Sequence, residues 1–235
     1  MYKRVILKLS GEALSAQDKS FDAHTLNQIC SQVKHLSELG VEIGIVVGGG
    51  NIMRGKANTD LLVERVARDN MGMLATVINS FAIQGTLEFM GVDTRIMSAV
   101  DMRVFVEPYI RRRALRHFDK KRVIIFCAGT GSPFFSTDTL AALRASELNA
   151  DVILMGKNGV DGVYSADPNV FKDAKKYTKL TYMEMIRENL AVMDTTATTM
   201  CMENNIDIVV FDINKENNII KAAHKEVDGT IISKE

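Results

Sequence analysis

Residues 41–55 read VEIGIVVGGGNIMRG. The first seven are almost continuously apolar, where a strand with one wet face would alternate apolar and polar side chains. A run of this length predicts a strand covered on both faces, as in a parallel sheet between helices. It stops at three glycines, an asparagine and an arginine. Adjacent glycines are costly to order because each loses more backbone freedom than any other residue. They predict either a tight turn or a cradle whose amides approach an anion. Ligands of open parallel sheets sit at the carboxyl ends of the strands, so polar and glycine-rich residues should gather there.

The pattern repeats along the chain. Similar apolar runs predict strands at 5–9, 94–97, 123–127, 152–155, 206–211 and 230–232, beside 41–47. Helical spacing fills the intervals. Leu26, Ile29, Val33 and Leu36 make one stripe, closed by Gly40. A long Met-rich segment, 61–90, predicts one or two helices closed by Gly91, and EPYIRRRALRHF predicts another with Pro108 in its first turn. TDTLAALRASELNA predicts a further helix capped by Thr137 or Asp138. Alternating strands and helices give an α/β fold with a mainly parallel central sheet. No linker, repeat or low-complexity tract interrupts it, so residues 1–235 are expected to form a single domain.

Composition narrows the function. Lys+Arg and Asp+Glu both total 29, so no polyanion is indicated as the main partner, and neither nucleic acid nor membrane is expected. The arginine stripe Arg111, Arg112, Arg113 and Arg116 reads as a solvated helix face. No apolar stretch approaches the length of a membrane span, and the amino terminus reads as a first strand, not a signal peptide. Cys30, Cys127 and Cys201 are odd in number and lie in apolar contexts, which suits buried thiols in a reducing cytoplasm. The four histidines are scattered, and the thirteen methionines read as core filler.

Four polar loops follow the predicted strands: KLSGE, GGGN with Arg54 behind it, AGTGSPFFSTD and KNGVDGVYSADP. Their convergence on one sheet edge carries more weight than any one of them. Glycines let amides reach a phosphate, and Lys8 and Arg54 would neutralise its charge. Thr130, Ser132, Ser136 and Thr137 add neutral donors, Phe134 and Phe135 offer rings, and Asp138 at a helix start is stabilised as an anion. Neither G-x-x-x-x-G-K-[ST] nor G-x-G-x-x-G occurs, so a phosphate-handling enzyme here must use another cradle. Taken alone, Asp69 reads as a residue on a solvated helix face.

KRVILKLSGEAL, VVGGGNIMRG, RDNMGMLATVIN, AGTGSPFFSTD, KNGVDGVYSADP and VMD, in this order, resemble the bacterial uridylate (UMP) kinases of the amino acid kinase superfamily. The likeness runs from Lys3 to Ile232. It implies a three-layer αβα sandwich, phosphoryl transfer from MgATP to UMP, and a homo-oligomer, the hexamer. By motif, Lys8, Leu9, Ser10 and Gly11 match the segment on the ATP phosphates, joined by Gly50 and Arg54. Asn158, Tyr164 and Asp167 match contacts to the rest of ATP. Gly49 matches a UMP contact and Asp69 a carboxylate on the UMP ribose, which overrides the solvated reading. Thr130, Gly131, Ser132, Pro133, Phe134, Phe135, Ser136 and Thr137 match the loop that holds UMP. Lys8, Arg54 and Asp138 are then the catalytic candidates. Many relatives carry a glycine-rich stretch after GEAL that is associated with GTP activation. Here SAQDKSFD replaces it, so activation by GTP is not carried over, while inhibition by UTP is. A kinase for a small carboxylate or carbamate shares the lysine and GGGN, and a non-catalytic nucleotide-binding protein could use the same scaffold. Bulk at Gly49 or Gly50 is expected to weaken phosphate binding and spare the fold.

Overall fold

The computed structural model describes residues 1–16, 19–53, 62–168, 170–171, 173–190 and 192–234. Its strands are β1 (Arg4–Leu9), β2 (Glu42–Val47), β3 (Thr94–Ser98), β4 (Glu107–Pro108), β5 (Val123–Cys127), β6 (Val152–Lys157), β7 (Val163–Tyr164), β8 (Lys176–Tyr177), β9 (Lys179–Thr181), β10 (Asp207–Asp212) and β11 (Thr230–Ser233). The helices are α1 (Ala23–Glu38), α2 (Arg65–Phe89), α3 (Arg111–Asp119), α4 (Thr137–Leu148), α5 (Tyr182–Arg187), α6 (Thr195–Glu203) and α7 (Asn218–His224). All seven strands expected from the apolar runs are present. The long segment forms one helix over its described part; Leu61 lies outside the described residues.

Nine strands make one sheet in the order β4-β3-β5-β2-β1-β6-β10-β11-β9, and β7 pairs with β8 apart from it. Every neighbouring pair in the large sheet is parallel except β10 with β11. Alternation along each strand sorts side chains onto two faces. Val5, Leu7 and Leu9 of β1 join the core under α1, α2 and α7. Ile6 joins the opposite core, under α3, α4, α5 and α6. The result is a three-layer αβα sandwich, and β1 and β2 are almost wholly buried, as their composition predicts. No helix among the described residues is long and apolar enough to cross a membrane.

Helix ends follow local chemistry. Asp22 caps α1 by accepting from Thr25 N at 2.9 Å, and Gly40 turns the chain beyond it at φ +84°. Two expectations need correction. Pro108 lies in β4, not in a helix, and α3 begins only at Arg111. Neither Thr137 nor Asp138 caps α4: Ser136 does, its Oγ accepting from the amides of Asp138 and Thr139. A residue with extended backbone and a short hydroxyl is what the cap position requires, and Ser136 is the one that has both.

The topology also locates a crevice. From β1 the chain moves through α1 to β2 on one side, and from β6 through α5 and α6 to β10 on the other. The loops after β1 and β6 therefore diverge onto opposite faces and leave an opening between neighbouring strands, which is where open α/β sheets bind ligands.

Candidate active site

Lys8 is the fifth residue of β1 and shares the face of Ile6, toward α4. It is only 8 % exposed. Its Nζ lies 2.7 Å from Asp138 Oδ1 in the first turn of α4. The contact is close enough for an ion pair yet out of line for a hydrogen bond, so that buried oxygen keeps unused accepting capacity. A second lysine, Lys157, ends β6 on the same face, as the parity of Ile153 and Met155 requires. Burial pushes the Lys157 ammonium below its ordinary pKa, and the charge of Lys8 adds to this while Asp138 opposes it. Two cations are thus close enough to repel one another with one carboxylate, paired to Lys8, to offset them, a balance that an anion would relieve. Lys157 donates to the Val192 carbonyl at 2.9 Å. Sequence reasoning missed it, although it opens the quoted loop KNGVDGVYSADP. Only the pairing of Lys8 with Met155 shows that Lys157 lies beside Lys8, two residues along the same face.

The glycine loop packs against the same centre. None of Gly48, Gly49 and Gly50 has a positive φ, so conformation does not select glycine there. Space does. A Cβ on Gly49 would stand 2.8 Å from the Gly72 carbonyl oxygen and 2.9 Å from Ala75 Cβ of α2, and one on Gly50 would run into the Glu12 carboxylate. The expectation that bulk spares the fold is therefore corrected at Gly49, where backbone and a short side chain stand in the way, whereas at Gly50 the Glu12 side chain can swing aside. The amides of Gly49 and Gly50 have no acceptor among the described residues. Asn51 and Asn79 fix the loop: Asn79 Nδ2 donates to the Gly48 carbonyl and to Asn51 Oδ1, both at 2.7 Å, and Asn51 Nδ2 donates back to Asn79 Oδ1 at 3.0 Å. Arg54 lies outside the described residues, as do Gln17 and Asp18 of the SAQDKSFD stretch.

Two cavities lie beside this centre, one bounded by the glycine loop and the start of α4, the other by Lys157. One, of about 660 Å³, is bounded by Gly49, Asp69, Ser132, Phe135, Ser136 and Thr137. Asp69 accepts from Phe134 N at 2.8 Å, tying α2 to the loop that follows β5. Arg65 lies over the Phe134 ring at 4.7 Å and lines the cavity together with Arg68. Neither arginine stood out in the sequence, because α2 reads there as an ordinary charged first turn. Thr130, Gly131 and Pro133 belong to the same loop; Gly131 needs its φ of +82° and packs on Ala99. The second cavity, of about 490 Å³, is bounded by Lys157, Tyr164, Asp167, Asn189 and Val192. The Tyr164 hydroxyl donates to Asp161 at 2.7 Å, which raises the phenol's pKa. Asn158 accepts from Asn214 at 2.7 Å next to this cavity. Leu9 is buried beneath the centre, and Ser10 and Gly11 lead into a single 3-10 turn, Gly11–Leu14.

Comparison with known proteins agrees with this architecture. The model of the amino acid kinase family matches residues 3–212. A uridylate kinase from Limosilactobacillus reuteri (strain DSM 20016) is 55% identical over 233 residues, covering 98% of this chain and 97% of the relative. Among solved structures, the UMP kinase of Ureaplasma parvum superposes with a TM-score of 0.95 at 39% identity, covering 99% of each chain. That of Bacillus anthracis gives 0.96 at 39% identity, covering 100% of this chain and 97% of the other.

Proposed function

The chain belongs to the amino acid kinase family, and from that premise we propose that it transfers the terminal phosphoryl group of ATP to the phosphate of UMP, giving UDP and ADP. One observation carries this reading: two cavities of mononucleotide size lie beside the Lys8–Asp138 pair. One is bounded by Gly49 and by Ser136 and Thr137, which directly precede Asp138 in the chain; the other is bounded by Lys157, whose ammonium feels the charges of Lys8 and Asp138. UMP occupies the cavity of Gly49, Asp69 and residues 130–137. ATP occupies the cavity of Tyr164 and Asp167, with Asn158 beside it and its phosphates reaching Lys8, Leu9, Ser10, Gly11 and Gly50.

The acceptor phosphate is already a competent nucleophile, so no general base is needed. The barrier lies in aligning two anions and offsetting their repulsion, and positioned charges and amides do this without reorganising. Lys8 and Lys157 neutralise the transferring group; Asp138 holds the ammonium of Lys8, and the Val192 carbonyl holds that of Lys157. Arg54 is assigned to the same phosphates. A magnesium ion fits as a companion of ATP. Among the described residues no cluster of three His, Cys, Asp or Glu side chains exists to cage an ion, whereas Asp138 Oδ1 has capacity to take a water of a phosphate-bound ion. Such an ion would supply further neutralisation of phosphate charge.

Residues 1–235 act as one domain, since a single sheet takes strands from Arg4 to Ser233. Met71, Leu74, Ile78 and Phe81 form an exposed apolar row on α2 and support pairing with a second copy, within the hexamer. Three buried free thiols suit the cytoplasm. UTP is read as an inhibitor, while activation by GTP is not carried over from the relatives. The test is ADP release with UMP, CMP, aspartate, glutamate and carbamate as acceptors, with and without GTP and UTP. Selective turnover of UMP is expected; turnover of a carboxylate or carbamate in its place, or binding of UMP and ATP without turnover, overturns the reading.

A further inference from the structure

The amino terminus of α4 is held from outside the two cavities. Asp194 ends the short motif VMD, residues 192–194, and precedes α6. Its Oδ1 caps α6 by accepting from Ala197 N at 2.9 Å. Its Oδ2 turns the other way and accepts from two hydroxyls of α4, Ser136 Oγ and, at 3.0 Å, Thr139 Oγ1. Capping α6 needs only the first of these oxygens.

A hydroxyl has one proton to give and two lone pairs to offer. Because Ser136 gives its proton to Asp194, its lone pairs face the amides of Asp138 at 3.0 Å and Thr139 at 3.1 Å. Asp138 then sets the position of Lys8, 2.7 Å away. The chain of contact runs from carboxylate to hydroxyl to helix amide to ion pair. Burial by itself would raise the Asp194 carboxyl, but the hydrogen bonds from Ser136, Ala197 and Thr139 outweigh it and hold the group below its ordinary value, ionised at neutral pH. The amino ends of two helices face that charge, and both favour it.

We propose that Asp194 is a positioning residue for the phosphoryl transfer, acting through Ser136 to fix the first turn of α4 and with it the Asp138–Lys8 pair. This rests on the reading of that pair as the place where the two phosphates meet.

The test compares wild type, Asp194→Asn, Ser136→Ala and the double variant in steady-state UMP phosphorylation, with thermal unfolding in parallel. Asparagine still caps a helix well, so the variant should fold. Asp194→Asn is expected to lower kcat about 10- to 100-fold, the range seen when an outer partner of a functional group is lost. KM for ATP should change little. The double variant should be no slower than Ser136→Ala alone, since both changes break one chain of contact. A kcat within about twofold of wild type for Asp194→Asn, or losses that multiply in the double variant, overturns the inference. If Asp194→Asn does not fold, Thr139→Val and Thr139→Ser replace it: the serine should restore turnover that the valine loses, and equal turnover in the two overturns the proposal. Wild-type protein without UMP phosphorylation would bring down the functional reading itself, and so is distinguishable from failure of this step alone.

Discussion

Lys8 is a cation kept nearly dry, with one carboxylate in reach and a second lysine across it. Removing an ammonium aimed at the transferring group should cost on the order of 10³-fold in kcat, or about 4 kcal/mol. Lys8→Ala is therefore expected to fold and to bind UMP while turning over at that reduced rate; single-turnover kinetics near the wild-type rate would remove Lys8 from the chemistry. Gly49 behaves differently, because α2 occupies the space a methyl group would need. Gly49→Ala should lower stability by about 1–3 kcal/mol through overpacking and raise KM for UMP. Urea denaturation checks the first effect and initial rates the second, and unchanged stability would mean that the loop yields. Lys8 and the glycines were legible in the sequence because strand-end lysines and adjacent glycines are visible without a partner. Lys157, Arg65 and Arg68 were not, since what distinguishes them is the neighbour that only the sheet register and the packing of α2 supply.

At the scale of elements, α2 is the support of the glycine loop. Asn79 is fully buried in its middle, and its amide meets Gly48 and Asn51 with every donor and acceptor in use, while Asn51 also donates to the Ser20 carbonyl at 2.8 Å. A polar pair of this kind is costly once half of it is removed, because the orphaned groups cannot reach water. Asn79→Leu strands the Gly48 carbonyl and the Asn51 side chain, so a loss of roughly 3 kcal/mol is expected in equilibrium unfolding. KM should rise for both nucleotides as the loop loosens. A loss below about 1 kcal/mol would show that other groups fill in. The long elements were readable because burial on both faces leaves an apolar run and a covered helix leaves a stripe. The two- and three-residue strands β4, β7, β8 and β9 were not, since pieces so short carry no period. The cap of α4 was misplaced by one or two residues because Ser136, Thr137 and Asp138 all have capping side chains, and backbone conformation decides among them.

For the whole molecule, alternation of strands and helices was enough to foresee a parallel sheet between two helical layers, but strand order depends on contacts between distant segments and had to be observed. Distant contacts also govern how the molecule answers acid. Asp22 is held below its ordinary pKa by the Thr25 amide, Glu184 by the Thr181 amide, and Asp161 by the Tyr164 hydroxyl together with Lys176 and Lys215. For Asp93 and Asp194 burial pushes upward, but the hydrogen bonds and, at Asp93, the arginines Arg122 and Arg95 outweigh it. Asp207 runs the other way, raised by burial. A carboxyl that is more acidic in the folded chain binds fewer protons there than in the unfolded chain. Its contribution is fully present above the ordinary carboxyl pKa of about 4 and is lost as pH falls through the folded value. Asp207 contributes with the opposite sign, and five depressed groups outnumber it. The unfolding midpoint, followed at constant ionic strength, should stay level from about pH 8 to 5 and fall steadily below about pH 4. Asp161→Asn should make that decline shallower, because the variant has one fewer proton to take up on unfolding. A midpoint that rises as pH drops from about 5 to 3 would mean that buried, raised carboxyls govern the acid response and the depressed ones do not.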